Sequence, residues 1–219
     1  MRFAHVIFDC DGVLVDTEKV ATRVQGQLFR ELGMDISDER IAELFTGKAA
    51  DYQARWLAAN TPVKLDLDYE ALHAVRMLAV FRNEGVELVP GIAQALASIG
   101  VPKSVATNGV RERATFALTS TGLIGFFERL NAVEDVANPK PAPDLYRLAA
   151  AKAGVDPAHC AVVEDSSTGV TAARAAGMTV IGFTGTAHDP AAAAADLNEA
   201  GAHILLEDMR ALHTALDWL

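Results

Sequence analysis

Two hydrophobic rhythms alternate along the chain. Short apolar runs that end in polar residues separate stretches in which apolar side chains recur every three or four positions. The first run, Val6-Ile7-Phe8, ends in Asp9-Cys10-Asp11-Gly12 and reads as a strand that runs out at two carboxylates. A helical rhythm follows, with Val20, Val24, Leu28 and Leu32 at fours and Gly33 as its stop. Ser37 and Asp38 offer an N-cap to a helix through Ile41, Leu44 and Phe45. Further helical pieces carry Tyr52, Trp56 and Leu57 up to Pro62, and then residues 68–81. Residues 17–85 therefore read as an all-helical insertion after one strand.

Val89-Pro90-Gly91 marks the return to alternating elements. A short helix with Ala95, Leu96 and Ile99 leads into a strand, 103–106, that ends in Thr107-Asn108-Gly109. Helix 111–121, strand 128–133 and helix 144–153 follow. Between the last two lies Asn138-Pro139-Lys140-Pro141-Ala142-Pro143, whose alternate prolines predict an extended, restrained loop around Lys140. Ala161-Val162-Val163 ends in Glu164-Asp165, and Ser166 or Ser167 can cap the next helix. Strand 179–183 precedes a loop with Gly185 and Thr186; the alanine-rich helix 191–200, strand 204–206 and a last helix complete the chain. Strands alternating with helices predict an α/β fold with a parallel sheet and right-handed crossovers. Residues 1–16 and 86–219 form its core, and 17–85 a separate helical domain.

Composition narrows the function. Of 219 residues 51% are hydrophobic, which is a globular balance. No apolar run reaches the roughly 18 residues of a membrane span, and the N-terminus does not read as a signal peptide. A cytoplasmic protein is the expectation. The net charge of −10, with no Lys/Arg cluster, argues against nucleic acid or an anionic membrane as partner. Cys10 and Cys160 fall at opposite ends of their strands, beyond the roughly 7 Å reach of a disulfide, and read as buried thiols.

In open parallel sheets, ligands bind at the carboxyl ends of the strands. Three strands here end in reactive side chains: Asp9 with Asp11, Thr107 with Asn108, and Glu164 with Asp165. Asp9 and Asp11, two positions apart on extended chain, face one side. So close a pair of like charges needs a cation or a shared proton. Taken singly, each group has a plain structural alternative: a strand-end turn for the aspartates, a solvated Lys140, a helix cap for the late acidic pair. Their shared edge favours chemistry.

These motifs, Asp9-Cys10-Asp11-Gly12-Val13-Leu14-Val15-Asp16-Thr17-Glu18, Thr107, Lys140 and Glu164-Asp165, resemble those of the haloacid dehalogenase superfamily. The likeness is to its magnesium-dependent phosphatases and phosphomutases with a helical cap, in the sugar-phosphatase and β-phosphoglucomutase branch. It implies a Rossmann-like core and Asp9 as nucleophile, forming an aspartyl-phosphate that water hydrolyses. It further implies Asp11 as general acid and base, and Thr107 and Lys140 binding phosphate. Gly12, Asn108 and Gly109 would bring backbone N–H groups to the phosphoryl group. Mg²⁺ would take Asp9, the Asp11 carbonyl and Asp165, with Glu164 bound directly or through water.

Asp11 and the acidic pair set the chain apart from the dehalogenases. The β-phosphoglucomutases carry a histidine three residues past the position of Glu18, where this chain has Ala21. That favours hydrolysis over mutase chemistry. A catalytically silent binding relative is the reading from a different class. In the cap, Thr46-Gly47-Lys48 is the candidate loop for a second anionic group of the substrate, with Arg76 and Arg82 as weaker candidates. The expected partner is a small phosphorylated metabolite, a sugar or sugar-acid phosphate, met by a monomer or weak homodimer.

Overall fold

The computed structural model describes residues 2–45, 50–60 and 69–219. Strands β1 (His5–Phe8) and β2 (Val15–Asp16) precede helices α1 (Glu18–Glu31), α2 (Asp38–Phe45), α3 (Ala50–Asn60) and α4 (Tyr69–Glu84). Then come β3 (Glu87–Leu88), α5 (Ile92–Ser98), β4 (Lys103–Ala106), α6 (Arg111–Ser120) and β5 (Arg129–Asn131). The chain closes with α7 (Asp144–Ala153), β6 (Cys160–Glu164), α8 (Ser167–Ala175), β7 (Thr179–Phe183), α9 (Pro190–Glu199), β8 (Ile204–Leu206) and α10 (Leu212–Trp218).

Six strands form one parallel sheet in the order β5-β4-β1-β6-β7-β8. β1 lies inside it, paired on both sides, and all four of its residues are buried. A strand covered on both faces reads as a continuous apolar run, as Val6-Ile7-Phe8 does. Alternate residues serve opposite layers. Phe8 packs in the cluster holding Leu96 of α5, Leu118 of α6 and Leu212 of α10. Ile7 joins Tyr146 of α7, Val170 of α8 and Leu197 of α9 on the other face. Register sets the level of the strand ends: Phe8 stands opposite Val105 and Val163. The residues just beyond, Asp9, Ala106 and Glu164, therefore reach the carboxyl edge together.

Helices α1–α4 are enclosed in sequence by β2 and β3, which pair antiparallel with Val15 opposite Leu88 and Asp16 opposite Glu87. The hydrophobic rhythm did not predict this two-residue ribbon. An aromatic cluster packs the helices together. Phe29 and Phe45 meet edge-on at 5.3 Å, Phe45 and Trp56 at 5.1 Å, and Phe29 stacks on Trp56 at 6.0 Å.

The proline-framed segment differs from the extended form expected. The Lys140–Pro141 bond is cis, and the Ala142 N–H donates to the Pro139 carbonyl at 2.9 Å, so the segment turns back on itself. Strand β5 is also shorter than 128–133 at both ends. Both cysteines are buried and free. Lys48 and its loop lie outside the described residues. Among those described, no helix is long and apolar enough to cross a membrane.

Candidate active site

Asp9 directly follows β1, its N–H donating to the Val163 carbonyl at 3.0 Å. Its Oδ1 accepts from Lys140 Nζ at 2.6 Å. The same ammonium donates to Glu164 Oε1 at 2.6 Å and to the Ala106 carbonyl at 2.9 Å, which uses its three protons. The side chains of Lys140 and Glu164 are 3% and 0% exposed, so the ion pair is held away from water. Three strand ends thus meet at one lysine.

Other side chains hold that lysine in place. The Asn108 carboxamide brackets its backbone: Nδ2 donates to the Lys140 carbonyl at 3.1 Å and Oδ1 accepts from the Lys140 N–H at 3.0 Å. The Tyr146 ring lies 4.7 Å from Nζ, and its hydroxyl donates to Glu164 Oε1 at 2.7 Å. Glu164 Oε2 accepts from the Ser166 amide at 3.0 Å and the Ser166 hydroxyl at 2.9 Å. Ser166 Oγ also accepts from the Gly169 N–H as the cap of α8. Of the two serines offered by the sequence, Ser166 is the cap.

Two glycines make room for carboxylates. Gly12 has φ +77°, and a Cβ built there would stand 1.9 Å from Asp165 Oδ2. A Cβ on Gly169 would stand 1.7 Å from Glu164 Oε1. The Thr186 hydroxyl donates to the Gly12 carbonyl at 2.8 Å and ties the loop after β7 to the one after β1. Thr107 is buried, and its Oγ1 accepts from the Gly109 N–H at 2.9 Å while keeping a proton to donate.

Asp9, Glu164 and Asp165 each offer a carboxylate oxygen within 4.8 Å of the others. One ammonium among these acids leaves negative charge unbalanced. Burial pushes Asp9 up to about 7; Lys140 draws it down, while Glu164 and Asp11 push it up further. Asp165 is driven well above the usual carboxylate range by burial and then by Glu164 and Asp9. For Glu164, burial opposes ionisation, but Lys140, Tyr146 and the Ser166 amide outweigh it and hold the carboxyl low. Burial acts against the Lys140 charge too, and Asp9 with Glu164 reverses the balance, raising it well above normal. Hard oxygen donors with surplus negative charge, in a cradle that glycine keeps open, fit a small divalent cation such as Mg²⁺.

The site opens into a cavity of about 1170 Å³. Gln25, Phe45, Tyr69 and His73 of the helices line it opposite Asp9, Asp11, Thr107 and Lys140. The His73 ring hydrogen-bonds to the backbone of Ala21, and burial, aided by Arg113, lowers its pKa to about 4. It is therefore a neutral imidazole at pH 7. Arg76 and Arg82 form exposed ion pairs with Glu31 and Glu112 instead and do not line the cavity. The sequence reading missed Tyr146, His73, Gly169 and Arg113, whose Nη2 meets Asp11 Oδ2 at 2.5 Å.

A family model described as haloacid dehalogenase-like hydrolase matches residues 3–177. The chain belongs to this family of hydrolases. Validoxylamine A 7'-phosphate phosphatase of Streptomyces hygroscopicus subsp. limoneus is 31% identical, covering 93% of this chain and 92% of its own. The 6-phosphogluconate phosphatase of Escherichia coli is 27% identical over 86% of each. Among solved structures, a HAD family hydrolase of Deinococcus radiodurans with bound phosphate and sodium is 33% identical. It superposes with a TM-score of 0.79, covering 99% of this chain and 96% of that one. The parallel core read from the strand and helix rhythm is thus that of the HAD-like hydrolases.

Proposed function

We propose that this HAD-like hydrolase is a Mg²⁺-dependent phosphomonoesterase acting on a phosphorylated sugar or sugar acid, with residues 17–85 as its cap domain. One observation carries the reading: Lys140 is buried between Asp9 and Glu164 at the edge where Asp11, Thr107 and Asp165 also gather. The phosphatase relatives and the phosphate-bound structure support it.

Asp9, Asp165 and the Asp11 carbonyl would hold Mg²⁺, with Glu164 as a further or water-bridged ligand. Bound there, the ion supplies positive charge to the carboxylates and to the phosphoryl oxygens. Lys140 fixes the Asp9 carboxylate and offsets the charge that builds on the transferring group. Thr107 donates its hydroxyl proton to a phosphoryl oxygen, and the Asn108 N–H adds to that cradle. The Gly12 and Gly109 N–H groups, expected from the sequence to join it, are instead taken by the Val15 carbonyl at 2.8 Å and Thr107 Oγ1 at 2.9 Å. Asp9 attacks phosphorus while the bond to the alcohol oxygen breaks and Asp11 delivers a proton to the leaving alkoxide. Asp11 then takes a proton from water, whose oxygen attacks the aspartyl-phosphate; the P–O bond to Asp9 breaks and phosphate leaves. The helices opposite enclose the alcohol part and limit water, and Lys48, outside the described residues, is the candidate for a second anionic group. Release of phosphate from p-nitrophenyl phosphate with Mg²⁺, abolished by chelator, is the expected result; full turnover in chelator refutes the metal-dependent reading.

A phosphosugar mutase is the second reading, and His73 favours it. Although Ala21 replaces the mutase histidine, a neutral imidazole from α4 stands against the Ala21 backbone. Stoichiometric release of free phosphate from hexose phosphates excludes that reading; interconversion of isomers without release supports it.

A further inference from the structure

One cation in the cavity has no place in the chemistry above. Arg113 of α6 reaches past the end of β4 to Asp11, and its side chain is 13% exposed. Its path is open because residue 109 is glycine. A Cβ there would stand 2.6 Å from Arg113 Nη2, 3.1 Å from Thr107 Oγ1 and 3.3 Å from Asp11 Oδ2. The guanidinium, the phosphate-binding hydroxyl and the acid/base carboxylate therefore surround the space of a single methyl group.

A guanidinium carries five N–H donors in a planar fork that matches oxyanions. The bond to Asp11 is the hydrogen bond Arg113 makes among the described residues, and its other donors face no protein acceptor there. Lys140, the other Lys or Arg lining the cavity among those residues, is fully used by Asp9, Glu164 and Ala106. The remaining charged lining, including Glu18, Asp165, Asp189 and Asp196, is acidic and repels an anion. In the proposed reaction Asp11 serves the leaving oxygen, so a cation bonded to Asp11 stands on the alcohol side of phosphorus. With a net charge of −10 the protein draws no anion from a distance, and discrimination must come from such a local contact.

Resting on the phosphomonoesterase reading, we propose that Arg113 is a specificity residue. One edge of its guanidinium holds Asp11, and the other receives a second oxyanion of the substrate, a carboxylate or a second phosphate. The enzyme then selects small phosphomonoesters that carry two anionic groups over those with a neutral tail.

A matched pair tests this directly. 6-Phosphogluconate and glucitol 6-phosphate share a carbon skeleton and differ in a carboxylate. Each is measured as a substrate and as a competitive inhibitor of p-nitrophenyl phosphate hydrolysis, so a constant is obtained whether or not it turns over. Wild-type protein should favour the acid by about 10- to 100-fold, the range of one charge-assisted contact. Releasing Asp11 in Arg113→Gln lowers activity on both members, but the acid should lose about 10- to 100-fold more than glucitol 6-phosphate, erasing the preference. Arg113→Lys, which keeps the charge, should restore part of it. Fructose 1,6-bisphosphate in place of the acid tells a phosphate-reading site from a carboxylate-reading one. Equal constants for the pair in wild type overturn the proposal. An equal loss on both members in Arg113→Gln also overturns it and makes Arg113 a residue that only positions Asp11 or binds the transferring phosphate. Absence of any p-nitrophenyl phosphate hydrolysis instead defeats the phosphomonoesterase reading, a separate outcome.

Discussion

The sheet edge and the helices α1–α4 line one cavity with opposite chemistry. At the edge, Asp9, Lys140, Glu164, Tyr146 and Ser166 are bonded to one another, so no side chain can change without disturbing the next. Apart from Glu18 at the start of α1, the helical wall presents uncharged side chains such as Gln25, Ile41, Phe45, Tyr69 and, with its pKa lowered to about 4, His73. The Phe29, Phe45 and Trp56 rings pack that wall together, and the ion pairs between α1 and α4, Arg23–Glu84 and Arg76–Glu31, are solvent-exposed and add little. A committed network suits reaction chemistry, and a largely uncharged wall suits discrimination among alcohols. The two should therefore fail differently when altered.

The largest effect is expected at the edge. Asp9→Asn removes the proposed nucleophile and should lower kcat at least about 10³-fold, measured by phosphate release; wild-type-like turnover would refute the assignment. Lys140→Met comes next. It should lower kcat by about 10²- to 10³-fold. Because it strands two buried carboxylates, it should also cost about 3–5 kcal/mol of stability in chelator, read from urea unfolding. A variant that is inactive yet fully stable would show that the ion pair contributes little to the fold.

On the helical side, Phe29→Ala deletes a buried ring from the aromatic cluster and should cost about 3–5 kcal/mol. Its turnover of p-nitrophenyl phosphate at low temperature should stay within a few-fold of wild type. A loss there as deep as that of Lys140→Met would erase the contrast between wall and edge.

The smallest effect is one of pH. Without metal, folded Asp9 titrates near 7, whereas a free aspartate titrates at 3.8. The folded state thus binds more protons across that window, and stability falls as pH rises through it. Asp165, also raised, acts in the same direction. Glu164, lowered from 4.5, acts the other way only below that value. In chelator, Tm should climb by a few degrees between pH 8 and pH 6, while Mg²⁺ should flatten the slope by ligating the ionised forms. Scanning fluorimetry at both pH values checks it; a chelated Tm that rises with pH would contradict the charge balance assigned to the edge.

Most of the fold was legible because each strand is short, apolar and ends abruptly. Val6-Ile7-Phe8 into Asp9 and Val162-Val163 into Glu164 mark both a buried strand and the polar edge at its end. The β2–β3 ribbon was not legible, since two residues carry no period. The proline frame pointed to a restrained Lys140, but its turn is closed by a hydrogen bond that spacing alone does not encode. Roles set by distant contacts were hidden as well. Arg113, in the run Arg111-Glu112-Arg113, reads as a solvated helix start, and its partner Asp11 is 102 residues away. Tyr146 looks like an ordinary apolar position of α7 until its hydroxyl meets Glu164.

Gly12 and Gly169 lend the site a fragility that its charges do not reveal. Each yields to a carboxylate the volume that any other residue's first side-chain carbon would fill. One added carbon, the smallest enlargement a side chain can undergo, would there evict Asp165 or Glu164 and act much as deleting that acid would. In a library of variants these two positions would tolerate no replacement, and would score as functional while bearing no functional group.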